Sequence, residues 1–245
     1  MDNPNNSCCC GETEHFSGCL ICGAPVTYSV ESSVKTCSIC HKEQLTNAVC
    51  KNGHFVCDAC HSYGTYIPVI TALRSSTEKD PLLLLEEIMG LPSVHMHGPE
   101  HHAIVPCVLL TALRNNGERI DYDTALSEIC KRAKQVPGGT CGYWGVCGAA
   151  AGAGIFMSVM TGSGPLHKDA WPFPQKLVSD ILSRLADVGG PRCCKRTSRI
   201  AIEEAIRFYS QFSSVKIPLS SVLCKYFEDN KECIREDCPY YPVSK

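Results

Sequence analysis

Pairs of potential metal ligands recur between residues 19 and 60. Each pair is separated by two or three residues, and the four pairs are Cys19/Cys22, Cys37/Cys40, Cys50/His54 and Cys57/Cys60. Such a short gap lets a tight turn direct both side chains at one metal ion, and two pairs complete a tetrahedral zinc site. Few apolar residues lie between the pairs, so metal binding must supply much of the folding free energy of this segment. The pattern therefore predicts two zinc ions.

The spacing of these pairs resembles that of cross-braced zinc modules of the RING and treble-clef kind. In those modules the first pair joins the third, and the second joins the fourth. The resemblance thus implies one site formed by Cys19, Cys22, Cys50 and His54 and another formed by Cys37, Cys40, Cys57 and Cys60. A ribbon module would join the first two pairs instead, and His41 and His61 are alternative ligands. Because four protein ligands fill each site, we expect both zinc ions to be structural.

A second stretch, residues 138–156 (GGTCGYWGVCGAAAGAGIF), combines thiols with small residues. Cys141 and Cys147 lie among glycines and alanines, and the aromatic residues Tyr143 and Trp144 lie between them. Each glycine inside a helix costs roughly 0.5–1 kcal/mol relative to alanine, so a plain core helix rarely has this composition. We predict a site with reactive or ligating thiols, in which the two aromatic rings wall a pocket. The alternative is a tight helix crossing that requires small residues.

Four histidines and a glutamate lie close together in the segment SVHMHGPEHH, residues 93–102. Its candidate functional residues are His97, Glu100, His101 and His102. The last three are predicted to occupy the first turn of a helix, where free N–H groups and the helix dipole lower the pKa of a histidine. A neutral imidazole is a good ligand or general base, so we expect ligands or acid–base groups here. The alternative is a solvated, polar helix entrance.

Three further cysteines lie near the C-terminus, namely Cys224, Cys233 and Cys238. A proline follows the last of them, as is common at iron–sulfur ligands. Cys193 or Cys194 is the natural fourth ligand, because both lie at the start of a predicted helix whose dipole stabilises thiolates. Three interpretations stay open: a [4Fe–4S] cluster, another metal ion, or one disulfide with a core thiol.

Residues 100–210 resemble a family of small helical, redox-associated proteins whose signature is a Cys, then Gly-Cys-Ala-x-x-Gly, then two further Cys. Cys107 in VPCVLLTAL, Cys147 in VCGAAAG, and Cys193 or Cys194 in GGPRCCKR match this order. The resemblance implies a redox-active or metal-binding set. It departs from the signature because Val-Cys-Gly-Ala replaces Gly-Cys-Ala and because Cys141 is additional. The whole chain also resembles uncharacterised cysteine-rich proteins of anaerobic archaea and bacteria, some joined to methyltransferase domains, which implies a methyltransferase-linked role.

Helices must position the groups that follow the zinc module. Apolar periodicity and Pro/Gly boundaries predict helices over about 81–89, 100–115, 121–136, 174–188, 195–212 and 219–227. Outside the zinc module, no stretch alternates as a strand does. We therefore predict a mainly α protein with three parts: a disordered tail over 1–18 that includes Cys8, Cys9 and Cys10, a double zinc module with short β-strands and turns over 19–62, and a cysteine-rich all-α domain over 63–245.

Composition narrows the function. The net charge is −2, which gives no reason to expect a nucleic-acid or membrane partner. The chain has 19 cysteines without a leader or a long apolar run, which predicts a cytoplasmic protein whose cysteines serve metals or redox chemistry. The leading hypothesis is a redox-active or cofactor-linked metalloprotein acting on a small molecule or a redox partner protein. Alternatives are a zinc-module adaptor for protein or RNA, and an accessory protein for metal or cofactor assembly.

Overall fold

The computed structural model describes residues 18–242. The predicted tail, with Cys8, Cys9 and Cys10, lies almost wholly outside these residues. The described chain contains eight α-helices and one two-stranded sheet, and the sheet lies in the segment with the paired ligands. The predicted mainly α fold with a small N-terminal β element is therefore confirmed. None of the described helices is both long enough and apolar enough to cross a membrane.

The N-terminal module, residues 19–60, is built on an antiparallel hairpin. Strand β1 (Val26–Thr36) pairs with β2 (Glu43–Cys50), and an irregularity between Tyr28 and Ser33 breaks the register. Nearly all side chains of β1 are exposed. The buried cluster of the module consists of one aromatic ring and thiols, namely Phe55, Cys37 and Cys57, with Cys40 and Cys60 packed against it. This apolar cluster is too small to offset the entropy that is lost when the segment becomes ordered. The hairpin therefore needs another source of stability.

Helix α1 (Asp58–Ser75) joins the module to the helical body. It starts between Cys57 and Cys60 and continues until Val69 and Leu73 are buried in the core of the body. The boundary predicted after residue 62 therefore falls inside this helix. Because the start of α1 belongs to the module and its later turns pack in the body, both parts fix the position of its first turn.

The remaining helices form the body. They are α2 (Pro81–Met89), α3 (His101–Asn115), α4 (Tyr122–Ala133), α5 (Thr140–Tyr143), α6 (Gly148–Thr161), α7 (Pro172–Val188) and α8 (Cys194–Tyr209). Helix α3 is central, because every residue from 101 to 113 is buried and the helix contacts α2, α4, α6 and α8. A helix that is buried on all sides needs apolar residues on all sides, which explains its weak amphipathicity.

Residues 219–227 do not form the predicted helix. They belong to an extended C-terminal segment that packs back onto the body. The backbone N–H of Ser220 donates to Asp80 Oδ2 (2.5 Å), and that of Cys224 donates to the carbonyl of Tyr240 (2.7 Å). These donors are bonded to distant groups instead of to the preceding helical turn, so tertiary contacts override the local propensity.

Candidate metal centres

The first group of potential ligands consists of Cys19, Cys22, Cys50 and His54, whose donor atoms all lie within 4.8 Å of one another. The sulfurs of Cys22 and Cys50 are 3.8 Å apart, and Nδ1 of His54 lies 3.3 Å and 3.6 Å from them, respectively. A tetrahedral ion with bonds of about 2.0–2.3 Å separates its ligand atoms by about 3.3–3.8 Å. The group can therefore hold one metal ion, and its spacing is compatible with zinc.

The second group consists of Cys37, Cys40, Cys57 and Cys60, with donor atoms again within 4.8 Å of one another. The sulfurs of Cys40 and Cys57 are 3.8 Å apart, which is the edge of the same tetrahedron. Burial would raise the pKa of Cys37, but backbone N–H groups of Cys40 and Cys57 lower it to about 6. A hydrogen bond to the backbone of Ala24 likewise lowers the pKa of Cys22 to about 6. Each group therefore contains one thiol that ionises readily to the thiolate, the form that binds metal. Burial instead raises the pKa of Cys19, Cys57 and Cys60.

The hairpin explains how pairs distant in sequence meet. The first and third pairs lie at one end of the strands, because Val26 is opposite Cys50. The second pair follows the other end, and the fourth pair begins α1. The first pair thus joins the third and the second joins the fourth, which is the cross-braced grouping and not the ribbon grouping. His41 and His61 belong to neither group.

A cleft of about 690 Å³ separates the module from the helical body. Cys141, Tyr143 and Trp144 line it from the short helix α5 and its end, with Cys141 exposed. The hairpin closes over the cleft, since Tyr143 Oη contacts the carbonyl of Ser29 (3.4 Å). The first half of the glycine-rich stretch therefore lines the cleft.

The second half of that stretch makes a tight helix crossing. A Cβ atom on Gly148 would lie 2.1 Å from the ring of His102, and one on Gly152 would lie 2.4 Å from the carbonyl oxygen of His102. Gly154 is similarly close to Val178 of α7. Helix α6 thus needs glycine to approach α3 and α7. The tight helix crossing therefore accounts for the glycines of the second half, and the predicted role of the thiols in the first half stays a prediction.

The three thiols of the predicted redox set do not form a tight group in the described chain. Cys107 is buried and its sulfur lies 3.7 Å from that of Cys130, a residue without a predicted role. Cys147 is half-buried and packs against the core of the body. Burial raises the pKa of Cys194 to about 12, and the charge of the neighbouring Cys147 adds to this effect.

The histidine-rich segment places its residues in different surroundings. His97 Nε2 lies 3.1 Å from Glu232 and 3.2 Å from Asn230 Oδ1. His101 is fully buried, and burial lowers its pKa to about 3. Burial also lowers the pKa of His102, whose Nδ1 bonds the carbonyl of Val136 (3.0 Å) and whose ring borders the cleft.

Glu100 precedes α3 and is completely buried beside two histidines that the sequence did not single out as a pair. Its carboxylate lies 3.4 Å from His61 Nδ1 and 3.0 Å from His95 Nδ1. Burial would raise the pKa of Glu100, but the two imidazoles hold it well below its usual range. Together these residues form the third group with donor atoms within 4.8 Å in the part of the chain described.

Four cysteines line one small cavity under the C-terminal segment, namely Cys193, Cys224, Cys233 and Cys238. Cys194 instead borders the cleft, so the structure separates the two candidate fourth ligands. Backbone N–H groups contact the sulfurs of Cys193, Cys224 and Cys233 at 3.4 Å. The guanidinium groups of Arg196 and Arg199 also line the cavity, which we name the thiol cavity.

A family of unknown function (DUF5714) matches residues 69–241. The chain belongs to this family. The DUF5714 region begins inside α1 and covers the whole remainder of the helical body, including the thiol cavity, whereas the paired ligands of the module precede it. No curated protein and no solved structure matches the chain significantly.

The boundary of the DUF5714 region also divides the buried carboxylate group. His95 and Glu100 lie inside the region, but His61 lies before it. The sequence signal for His95 was its place two residues before His97 in a histidine-rich loop. His61 directly follows Cys60, so the sequence suggested it only as an alternative ligand of the module and not as a neighbour of Glu100.

Proposed function

We propose that the protein is a redox-active metalloprotein, in which two structural zinc ions fold the N-terminal module and a [4Fe–4S] cluster occupies the thiol cavity. The observation that carries the proposal is the arrangement of Cys193, Cys224, Cys233 and Cys238, which share a cavity without forming a tight group. A single tetrahedral ion draws four sulfurs to about 3.8 Å from one another, as in the module. A cubane cluster holds its cysteines farther apart, because irons and sulfides lie between them.

The electrostatics of the thiol cavity support a cluster. Burial raises the pKa of Cys193 and of Cys238, but the charge of Arg196 lowers the pKa of both thiols and so favours the thiolates that bind metal. A [4Fe–4S] cluster held by four cysteine thiolates would carry a net negative charge. Arg196 and Arg199 lie beside it, and N–H groups contact three of the sulfurs. Both features stabilise added negative charge and raise a cluster's reduction potential.

The position of the thiol cavity supports electron transfer to the cleft. Cys193 lines the cavity while Cys194 borders the cleft, and Met96 lines the cavity while His95 and His97 border the cleft. Asn230 bridges the two, since it contacts both Cys193 Sγ (3.5 Å) and His97 Nε2 (3.2 Å). A cluster held by the four cysteines would supply one-electron transfer between a redox partner protein and a small molecule in the cleft, and Asn230 and His97 would connect the two sites.

The test is metal analysis of protein purified without oxygen. We expect about two zinc ions per chain together with iron and acid-labile sulfide, and an electron paramagnetic resonance signal after reduction with dithionite. Cys233→Ala should lose the iron and sulfide and keep the zinc. Cys130→Ala is the matched control, because Cys130 is a half-buried thiol of the body outside the cavity. Protein that takes up no iron after anaerobic reconstitution, or equal iron in both variants, would refute the proposal.

A further inference from the structure

We propose that His61, His95 and Glu100 form an additional, open metal site that binds a divalent transition-metal ion at the wall of the cleft. Two of the ligands, His95 and Glu100, come from the loop before α3, and His61 comes from the first turn of α1. Two imidazoles and one carboxylate are a ligand set for zinc in catalytic sites and for non-haem iron. This inference does not depend on the iron–sulfur cluster.

The distances also suit a common ion, although His95 Nδ1 and Glu100 Oε1 lie within hydrogen-bond reach of each other. Two donor atoms bound to one ion at about 2.0–2.2 Å lie about 3.0–3.5 Å apart. The carboxylate of Glu100 lies 3.0 Å from His95 Nδ1 and 3.4 Å from His61 Nδ1. Neither Oε2 of Glu100 nor Nδ1 of His61 makes a hydrogen bond of good geometry, although both atoms are buried. These two buried atoms face each other across 3.4 Å without a well-formed hydrogen bond, and an ion bound between them would satisfy both.

The surroundings hold the carboxylate in place. The backbone N–H of His95 donates to Glu100 Oε1 (3.2 Å), which orients the group as an outer partner orients a metal ligand. Residue 98 is glycine, and a Cβ atom there would lie 2.1 Å from Glu100 Oε2. The loop before α3 therefore leaves just enough room for the carboxylate.

The site differs from the two groups of the module in being incomplete. Three protein ligands leave at least one coordination position, whereas each module group supplies four. His61 and His95 both border the cleft, with 19% and 21% of their side chains exposed, while Glu100 has none exposed. A small molecule in the cleft that offers an oxygen or nitrogen donor can therefore complete the coordination.

The competing explanation is a buried carboxylate that is neutralised by protonated histidines. Cobalt(II) distinguishes the two. Protein whose module is already filled with zinc is titrated with Co²⁺ without oxygen, and the visible d–d bands are followed. An ion bound by nitrogen and oxygen gives these bands without the near-ultraviolet sulfur-to-cobalt charge-transfer band that a cysteine site gives.

We expect one equivalent of Co²⁺ to bind without the charge-transfer band. Loss of a direct ligand in His95→Ala should weaken this binding by more than the roughly 10–100-fold that loss of an outer partner costs. Glu100→Gln should do the same. Because Glu100 is buried, this variant could also fold poorly, whereas His95 is partly exposed and His95→Ala tests the same site without that risk. His167→Ala, which changes an exposed histidine in the loop between α6 and α7, should bind as the wild type does. No cobalt uptake by the wild type, uptake with the sulfur band, or equal uptake by His95→Ala would overturn the proposal.

Discussion

Gly152 is the residue at which the helix crossing can be tested most directly. A methyl group there would lie 2.4 Å from the carbonyl oxygen of His102 and 2.9 Å from Cδ of Pro106, both on α3. The oxygen belongs to the backbone of the central helix and cannot turn away as a side chain does. Gly152→Ala must therefore push α6 away from α3 by a substantial fraction of an ångström.

Two effects of opposite sign determine the stability of Gly152→Ala. Alanine favours the helix by up to about 1 kcal/mol over glycine. Overpacking of a core costs about 1–3 kcal/mol, and more where backbone must move. The clash is with backbone, so we expect it to dominate and to leave a net destabilisation of about 1–3 kcal/mol. For a chain of this size that lowers Tm by roughly 2–12 °C, measured by circular dichroism at 222 nm with metal content verified.

Gly64→Ala is the matched control for this prediction. Gly64 is exposed in the interior of α1, and a Cβ atom there meets nothing within 4 Å. The same substitution should therefore leave Tm unchanged or raise it. If Gly152→Ala were as stable as the wild type, the close approach of α6 to α3 would not be what requires glycine, and the reasoning would fail.

Two further predictions concern metal removal and pH. Chelation of the module's metal ions should abolish the hydrogen-exchange protection of β1 and β2 but leave that of α3 and α6. The reason is that the module buries only a few thiols and one ring, while the body has its own core. Equal loss of protection in both parts would contradict this. Burial and the hydrogen bond from Tyr209 to Glu118 (2.9 Å) raise the pKa of Tyr209 to about 12. The folded state therefore keeps the proton more tightly than the unfolded state, and the stability from this group is present below pH 10 and lost between pH 10 and 12. Tyr209→Phe should reduce that loss in alkaline urea unfolding, and an unchanged pH dependence would contradict it.

The sequence predicted those parts of the structure that depend on local spacing. Four regular ligand pairs indicated two groups of four ligands. The expected grouping of the first pair with the third agrees with the position of Cys22 beside Cys50. Periodicity located α3 within one residue of its start. The helix over 219–227 was wrong because its backbone donors bond to Asp80 and Tyr240, which no local pattern reveals.

Pairings between distant elements were harder to predict. Cys107 contacts Cys130, and His61 meets Glu100, because α1 and α4 pack against α3. Neither contact has a sequence signal at short range. The sequence likewise did not distinguish Cys193 from Cys194 as the fourth ligand. Both are cysteines at the start of the same helix, but the side chains of adjacent residues point in different directions.

At two places, adjacent residues belong to different candidate sites, so the position of one site depends on the position of the other. Cys60 belongs to the second group of the module, and the next residue, His61, faces Glu100. Cys193 lines the thiol cavity, and the next residue borders the cleft. A metal ion in the second module group would therefore fix the first turn of α1, and with it the position of His61 against the buried carboxylate. The folding of the module would then set the distance between His61 and Glu100, two proposed ligands that come from different elements.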